Sequence, residues 1–141
     1  MNEYLFKDLS VGQTESFQVT VTKELEDCFR KMTGDVNPLH ASDEFAEEIG
    51  KGKFKSHVTF GMLTASFYST LAGVYLPGKY SLIHSLDIKF QKPVYMRDQL
   101  TITGEIVDKQ DELNLIQVKA TIRNQKAQKV SQADMKVLVM N

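Results

Sequence analysis

Between Thr33 and His40 the chain reads TGDVNPLH, and two of these side chains could move protons: the carboxyl of Asp35 and the imidazole of His40. On an ideal helix, at about 100° per residue, groups five positions apart diverge by about 140°. Pro38 excludes that helix, because it has no N–H to donate and pushes Asn37 toward an extended backbone. In the turn that results, the acid and the imidazole can face one water. Asp35 would orient and deprotonate it, and His40 would deliver or relay the proton. Asn37 is placed to hold the loop, or a bound molecule, by hydrogen bonds. Taken singly, Asp35 and Asn37 are common turn formers that cap their own backbone, and only their combination with Pro38 and His40 points to chemistry.

A second chemical resource lies at Gly61. Residues 58–74 read VTFGMLTASFYSTLAGV, with Phe60, Met62, Leu63, Phe67, Tyr68, Leu71 and Val74 falling on every side of a helical wheel. A helix apolar all round is buried, and the rest of the chain is expected to enclose this one. Thr and Ser interrupt it, so it falls short of the roughly 18 uninterrupted apolar residues of a membrane span. The first N–H groups of such a helix have no intrahelical acceptor, and its dipole is positive there. Gly61, lacking a side chain, would let a carbonyl oxygen come close to those donors. It could equally serve close packing of helix on sheet.

The elements that must position these groups follow from periodicity. Glu15 to Thr22 alternates as a half-buried strand, with Phe17, Val19 and Val21 on one face. Thr22 then caps an amphipathic helix in which Leu25, Cys28, Phe29 and Met32 recur, stopped by Gly34. Ser42 caps a short acidic helix closed by Gly50, and Lys51, Lys53 and Lys55 follow. Strands are expected at 81–90, 100–107, 113–123 and 129–139, with Leu82, His84, Leu86, Ile88 and Phe90 sharing one face of the first. Short connections predict an antiparallel meander of these four. The fold class is α+β: a curved antiparallel sheet wrapped around one long central helix, in a single domain spanning 1–141.

Composition narrows the partners. A formal net charge of −1 gives no reason to expect nucleic acid or a membrane surface. The N-terminus carries no basic segment followed by an apolar run, and lone Cys28 cannot form an internal disulfide. A cytoplasmic location is the expectation. No cofactor is called for, and no metal, because the three histidines are scattered at no ligand spacing.

TGDVNPLH, an acidic helix, FGMLTASFYSTLAGVYLPG and the later DIKFQKPVYMRDQL together resemble the MaoC-type (R)-specific enoyl-CoA hydratases, which have the hot-dog fold. The similarity runs from about Phe6 to the C-terminus. It implies a homodimer with acyl-thioester tunnels at its interface, and reversible syn addition of water across the 2,3 double bond of an enoyl thioester carried on coenzyme A or an acyl carrier protein. It also implies that Asp35, His40 and Gly61 are catalytic, Gly61 as the oxyanion donor. Asn37, Ser69, Phe60 and Met62 are the expected substrate contacts, Ser69 in a supporting role because it lies about 12 Å of helical rise beyond Gly61. Lys51, Lys53 and Lys55, or alternatively Lys79, Lys92 and Arg97, are candidates for the carrier's phosphates.

Two residues depart from the family pattern. Phe60 stands where most members have a histidine before the glycine of GML, and Arg97 stands where a glycine usually precedes the aspartate, here Asp98. Phe60 is expected to make the edge of the site more apolar. Two other readings share the fold: a dimer that holds an acyl thioester without turning it over, and a thioesterase, against which the GDxNPxH element argues.

Overall fold

The computed structural model describes all 141 residues. Strand β1 (Thr14–Thr20) leads into helix α1 (Lys23–Thr33), one tight turn at Pro38–His40, helix α2 (Asp43–Gly50) and helix α3 (Gly61–Thr70). The chain then runs through β2 (Ser81–Phe90), β3 (Gln99–Gln110), β4 (Leu115–Arg123) and β5 (Lys129–Val139). Thr22 accepts from the Leu25 N–H and Gly34 ends α1 in the left-handed region, as their residue types predict. Helix α3 begins at Gly61 and widens into a π turn over Leu71–Tyr75.

All five strands form one antiparallel sheet in the order β1-β3-β4-β5-β2. The expected meander of four strands is therefore confined to β3, β4 and β5. Strand β2 joins the far side against β5, because residues 91–98, with Pro93 among them, form a connection long enough to cross over. The expected face of β2 is also broken. A bulge at His84 slips the register between Ile83 and Ser85, so Ile83 pairs with buried Val137 and Leu86 with buried Met135. Leu82, before the bulge, pairs with Leu138 on the opposite face.

Tyr68, Leu71 and Ala72 of the helix are fully buried among Leu100, Ile102, Ile116, Val118, Ile122 and Met135 of the sheet. Gly104 permits the close approach, since a Cβ there would meet Leu71 Cδ2 at 2.7 Å. The Tyr68 hydroxyl is satisfied by Ser131 Oγ at 2.8 Å, and burial pushes its pKa up to about 12. Enclosure of α3 is one-sided, however. Met62, Ser66 and Ser69 are exposed, because a single curved sheet covers only the face of the helix laid against it.

Candidate active site

The loop after α1 is built by its own side chains. Asp35 Oδ1 accepts the Asn37 N–H at 3.1 Å, and Asn37 Oδ1 accepts the Leu39 N–H at 3.0 Å. These two turns carry the chain around to Pro38 and deliver His40 inward, while Asp35 and Asn37 stay exposed. His40 is held on three sides. Its Nδ1 lies 2.7 Å from the Val58 carbonyl oxygen, its own carbonyl accepts from Arg30 Nη2 at 3.0 Å, and its ring packs 4.3 Å from that of Phe60. A carbonyl only accepts, so Nδ1 carries the proton and Nε2 is the basic nitrogen of the neutral ring.

His40 and Gly61 line one cleft of about 300 Å³, together with Thr59, Thr64, Phe90, Lys92, Val94 and Val130 among others. No side chain caps the first turn of α3 at Gly61, so the N–H groups there are open to a ligand. A Cβ on Gly61 would stand 3.2 Å from the Phe90 ring, a tight contact, so packing of α3 against β2 favours glycine here.

The other expected residues are placed differently. Asp35 does not line this cleft, and no hydrogen bond joins it to His40. Phe60, expected at the edge of the site, is 1% exposed and packs between the rings of His40 and Phe29. It is a large apolar ring, and the interior beneath His40 is where such a ring is stable. Met62 and Ser69 stand on the uncovered face of α3, outside the cleft.

Residues 9–129 match the family model described as MaoC like domain. The chain belongs to the MaoC-like family. It is 31% identical over 100 residues to the (R)-specific enoyl-CoA hydratase of Rhodospirillum rubrum, a match covering 71% of this chain and 67% of that one. It is also 31% identical over 103 residues to the 3-hydroxybutyryl-CoA dehydratase of Methylorubrum extorquens, covering 73% and 64%. The match thus spans about two thirds of these relatives' length. Among solved structures, the (R)-hydratase from A. caviae involved in PHA biosynthesis superposes with a TM-score of 0.87 at 26% identity, covering 94% of this chain and 98% of that one. The curved sheet around α3 is the hot-dog fold.

Beside its cleft this MaoC-like chain carries polar features that periodicity did not reveal. Glu26 of α1 is 3% exposed, whereas Cys28 and Met32, expected on the buried face of that helix, are exposed. The inward face is set by Leu25, Glu26, Phe29 and Arg30, rotated by about a quarter turn from the apolar stripe, because Glu26 and Arg30 have partners inside. Glu26 contacts His57 through Oε2 at 3.0 Å. The signal available was a carboxylate three and four residues before Phe29 and Arg30, on their face of the helix. A second cavity of about 300 Å³ adjoins the first through Lys92 and Pro93 and brings Lys55, Lys92 and Lys126 together. Lys79 instead pairs with Glu3 at 3.2 Å. No helix is long and apolar enough to cross a membrane.

Proposed function

We propose that this chain is a hydro-lyase that reversibly adds water across the 2,3 double bond of an enoyl thioester, giving an (R)-3-hydroxyacyl thioester. The observation that carries the reading is the cleft wall shared by His40 and Gly61. Water bonds C3 through its oxygen as it loses a proton, the π electrons move onto the thioester oxygen, and C2 then gains a proton. The Gly61 N–H at the positive end of α3 would hold the developing enolate oxygen. Asp35 and His40 would take the water's proton and return one to C2. Asp35 Oδ2 makes no hydrogen bond and is the oxygen free for that task. Asn37 would keep the loop in shape, Phe60 would back the His40 ring, and Met62 and Ser69 would meet the acyl chain or a second copy of the chain.

The names of the two relatives described above favour coenzyme A as carrier. Lys55, Lys92 and Lys126 would then receive its phosphates, one cavity beyond the reacting carbons. The active form on this reading is a homodimer joined along β2. One observation favours the alternative, a protein that binds a thioester without turnover: Asp35 Oδ1 is engaged in its own turn.

Crotonyl-CoA hydration by the parental chain, Asp35→Asn and His40→Asn separates the two. The hydratase reading expects each variant to bind the thioester nearly as before while turnover falls by about 10²–10⁴-fold. Hydration at the parental rate in both variants would remove the pair from the mechanism. Tight binding with no hydration or dehydration by the parental chain would establish the binding module.

A further inference from the structure

His57 joins three segments of the chain. Its Nε2 lies 3.0 Å from Glu26 Oε2 on α1, and its Nδ1 lies 2.8 Å from Asp43 Oδ1 in the first turn of α2. Asp43 Oδ1 also accepts the backbone N–H of His57 at 2.8 Å. Glu26, almost wholly buried, accepts the Thr59 hydroxyl at 2.7 Å on its other oxygen. A neutral imidazole has one donor and one acceptor, so it would turn a lone pair toward one of these carboxylates; the protonated ring donates to both. A carboxylate buried on a helix face needs such partners, and here they come from the two residues that flank Val58.

That placement matters because Val58 supplies the carbonyl that receives His40 Nδ1–H. His57 is tied to α1 and α2. Thr59 is tied to α1 by its hydroxyl and to Val94 by its N–H at 2.8 Å. The peptide between them has both ends fixed, and the direction of its carbonyl is fixed with them. We propose that Glu26 and His57 are positioning residues for His40, pinning the Val58 carbonyl and through it the orientation and tautomer of the imidazole. The inference rests on the reading of His40 as a proton-transfer group. Val58 is also held by its own N–H, which donates to the Leu39 carbonyl at 2.9 Å, so loss of Glu26 loosens the Val58 carbonyl rather than freeing the whole residue. Where that carbonyl turns from Nδ1, the ring proton can move to Nε2, and neutral His40 then loses the basic nitrogen that the cleft requires.

The test compares Glu26→Ala, which removes the tie, with Glu26→Gln, which preserves it. Gln can accept from Thr59 through Oε1 and donate through Nε2 to a neutral His57, whose remaining N–H still serves Asp43. Ring 15N shifts of His40, measured without substrate, report which nitrogen is protonated, and steady-state kinetics on crotonyl-CoA report kcat and KM. The parental protein and Glu26→Gln are expected to show a single Nδ1–H tautomer and similar kcat. Glu26→Ala is expected to show mixed tautomers and a kcat lower by roughly 10- to 100-fold, with KM within about twofold. A folded Glu26→Ala with the parental tautomer and kcat would make the cluster a scaffold only and overturn the proposal. Should Glu26→Ala not fold, His57→Gln, which leaves the Glu26–Thr59 bond intact, is judged by the same two outcomes. If the parental chain hydrates nothing, the hydratase reading fails, while the His40 shifts still decide this one.

Discussion

At the scale of single residues, backbone conformation explains one departure from the family pattern better than side-chain chemistry does. Arg97 adopts φ +70°, the left-handed region where glycine is at ease, and its side chain is exposed. The turn is tied to Val21, the residue just beyond β1, by two bonds: Arg97 N–H to the Val21 carbonyl at 2.8 Å and Val21 N–H to the Asp98 carbonyl at 2.9 Å. An L-residue in this region costs about 1–2 kcal/mol, against the roughly 0.5–1 kcal/mol of extra chain freedom that glycine must lose on folding. Arg97→Gly is therefore expected to stabilise the fold by about 0.5–1 kcal/mol, read as a higher denaturant midpoint at unchanged slope. A lowered midpoint would mean that the guanidinium makes a contact worth more than the strain. The turn at Pro38 and the glycine at the start of α3 were legible in the sequence, because both follow from what proline and glycine do to a backbone. The direction in which Asp35 points was not, since an acid beside a turn can serve the turn or the solvent, and only the folded loop decides between them.

Between elements, the cluster at His57 predicts a pH dependence. Burial pulls the His57 pKa down, but hydrogen bonds to Asp43 and Glu26 and the charges of both outweigh it and hold the ring above the ordinary histidine value. The Asp43 carboxyl is drawn below its usual range, first by the His57 backbone N–H and then by the ring. For a basic group whose pKa is raised on folding, the stabilisation is complete below the unfolded value, about 6.5, and is lost as pH rises through the folded value. The thermal midpoint of the parental protein, taken relative to His57→Gln, is expected to stand highest near pH 6 and to decline as pH rises beyond about 6.5. A difference that grows with pH would show that the ring is neutral in the fold. This cluster also explains why α1 was legible as a helix but not in its facing. Its caps, Thr22 and Gly34, are local, whereas the burial of Glu26 depends on a histidine 31 residues away. The bulge at His84 escaped for a related reason: strict alternation of Leu82, His84 and Leu86 is compatible with a regular strand, and only pairing with Val137 and Lys136 shows that one residue is extra.

For the molecule as a whole, the chain leaves one side of its structure unfinished. Strand β2 is paired on one side only, to β5, so its other edge carries a row of free backbone donors and acceptors. Leu82 and Phe90 are each 52% exposed and Leu86 39% along that strand, and Met62 is 61% exposed on the neighbouring uncovered face of α3. An open edge flanked by apolar side chains is a template for another strand, and a second copy of the chain offers an identical edge that can pair antiparallel about a two-fold axis. Such pairing would continue the sheet, cover Met62 and Ser69, and close the cleft whose wall includes Phe90. The parental chain is therefore expected to sediment at about 32 kDa, twice the 16.0 kDa of one chain. Replacing both Leu82 and Leu86 by Lys sets four like charges along one seam, a device that natural edge strands use against pairing. That variant is expected to sediment as a monomer with its far-ultraviolet circular dichroism unchanged, and its hydration rate is expected to fall with the loss of the dimer. A parental chain that sediments as a monomer yet hydrates crotonyl-CoA would show that one copy suffices, and would leave the exposed edge of β2 to some other partner.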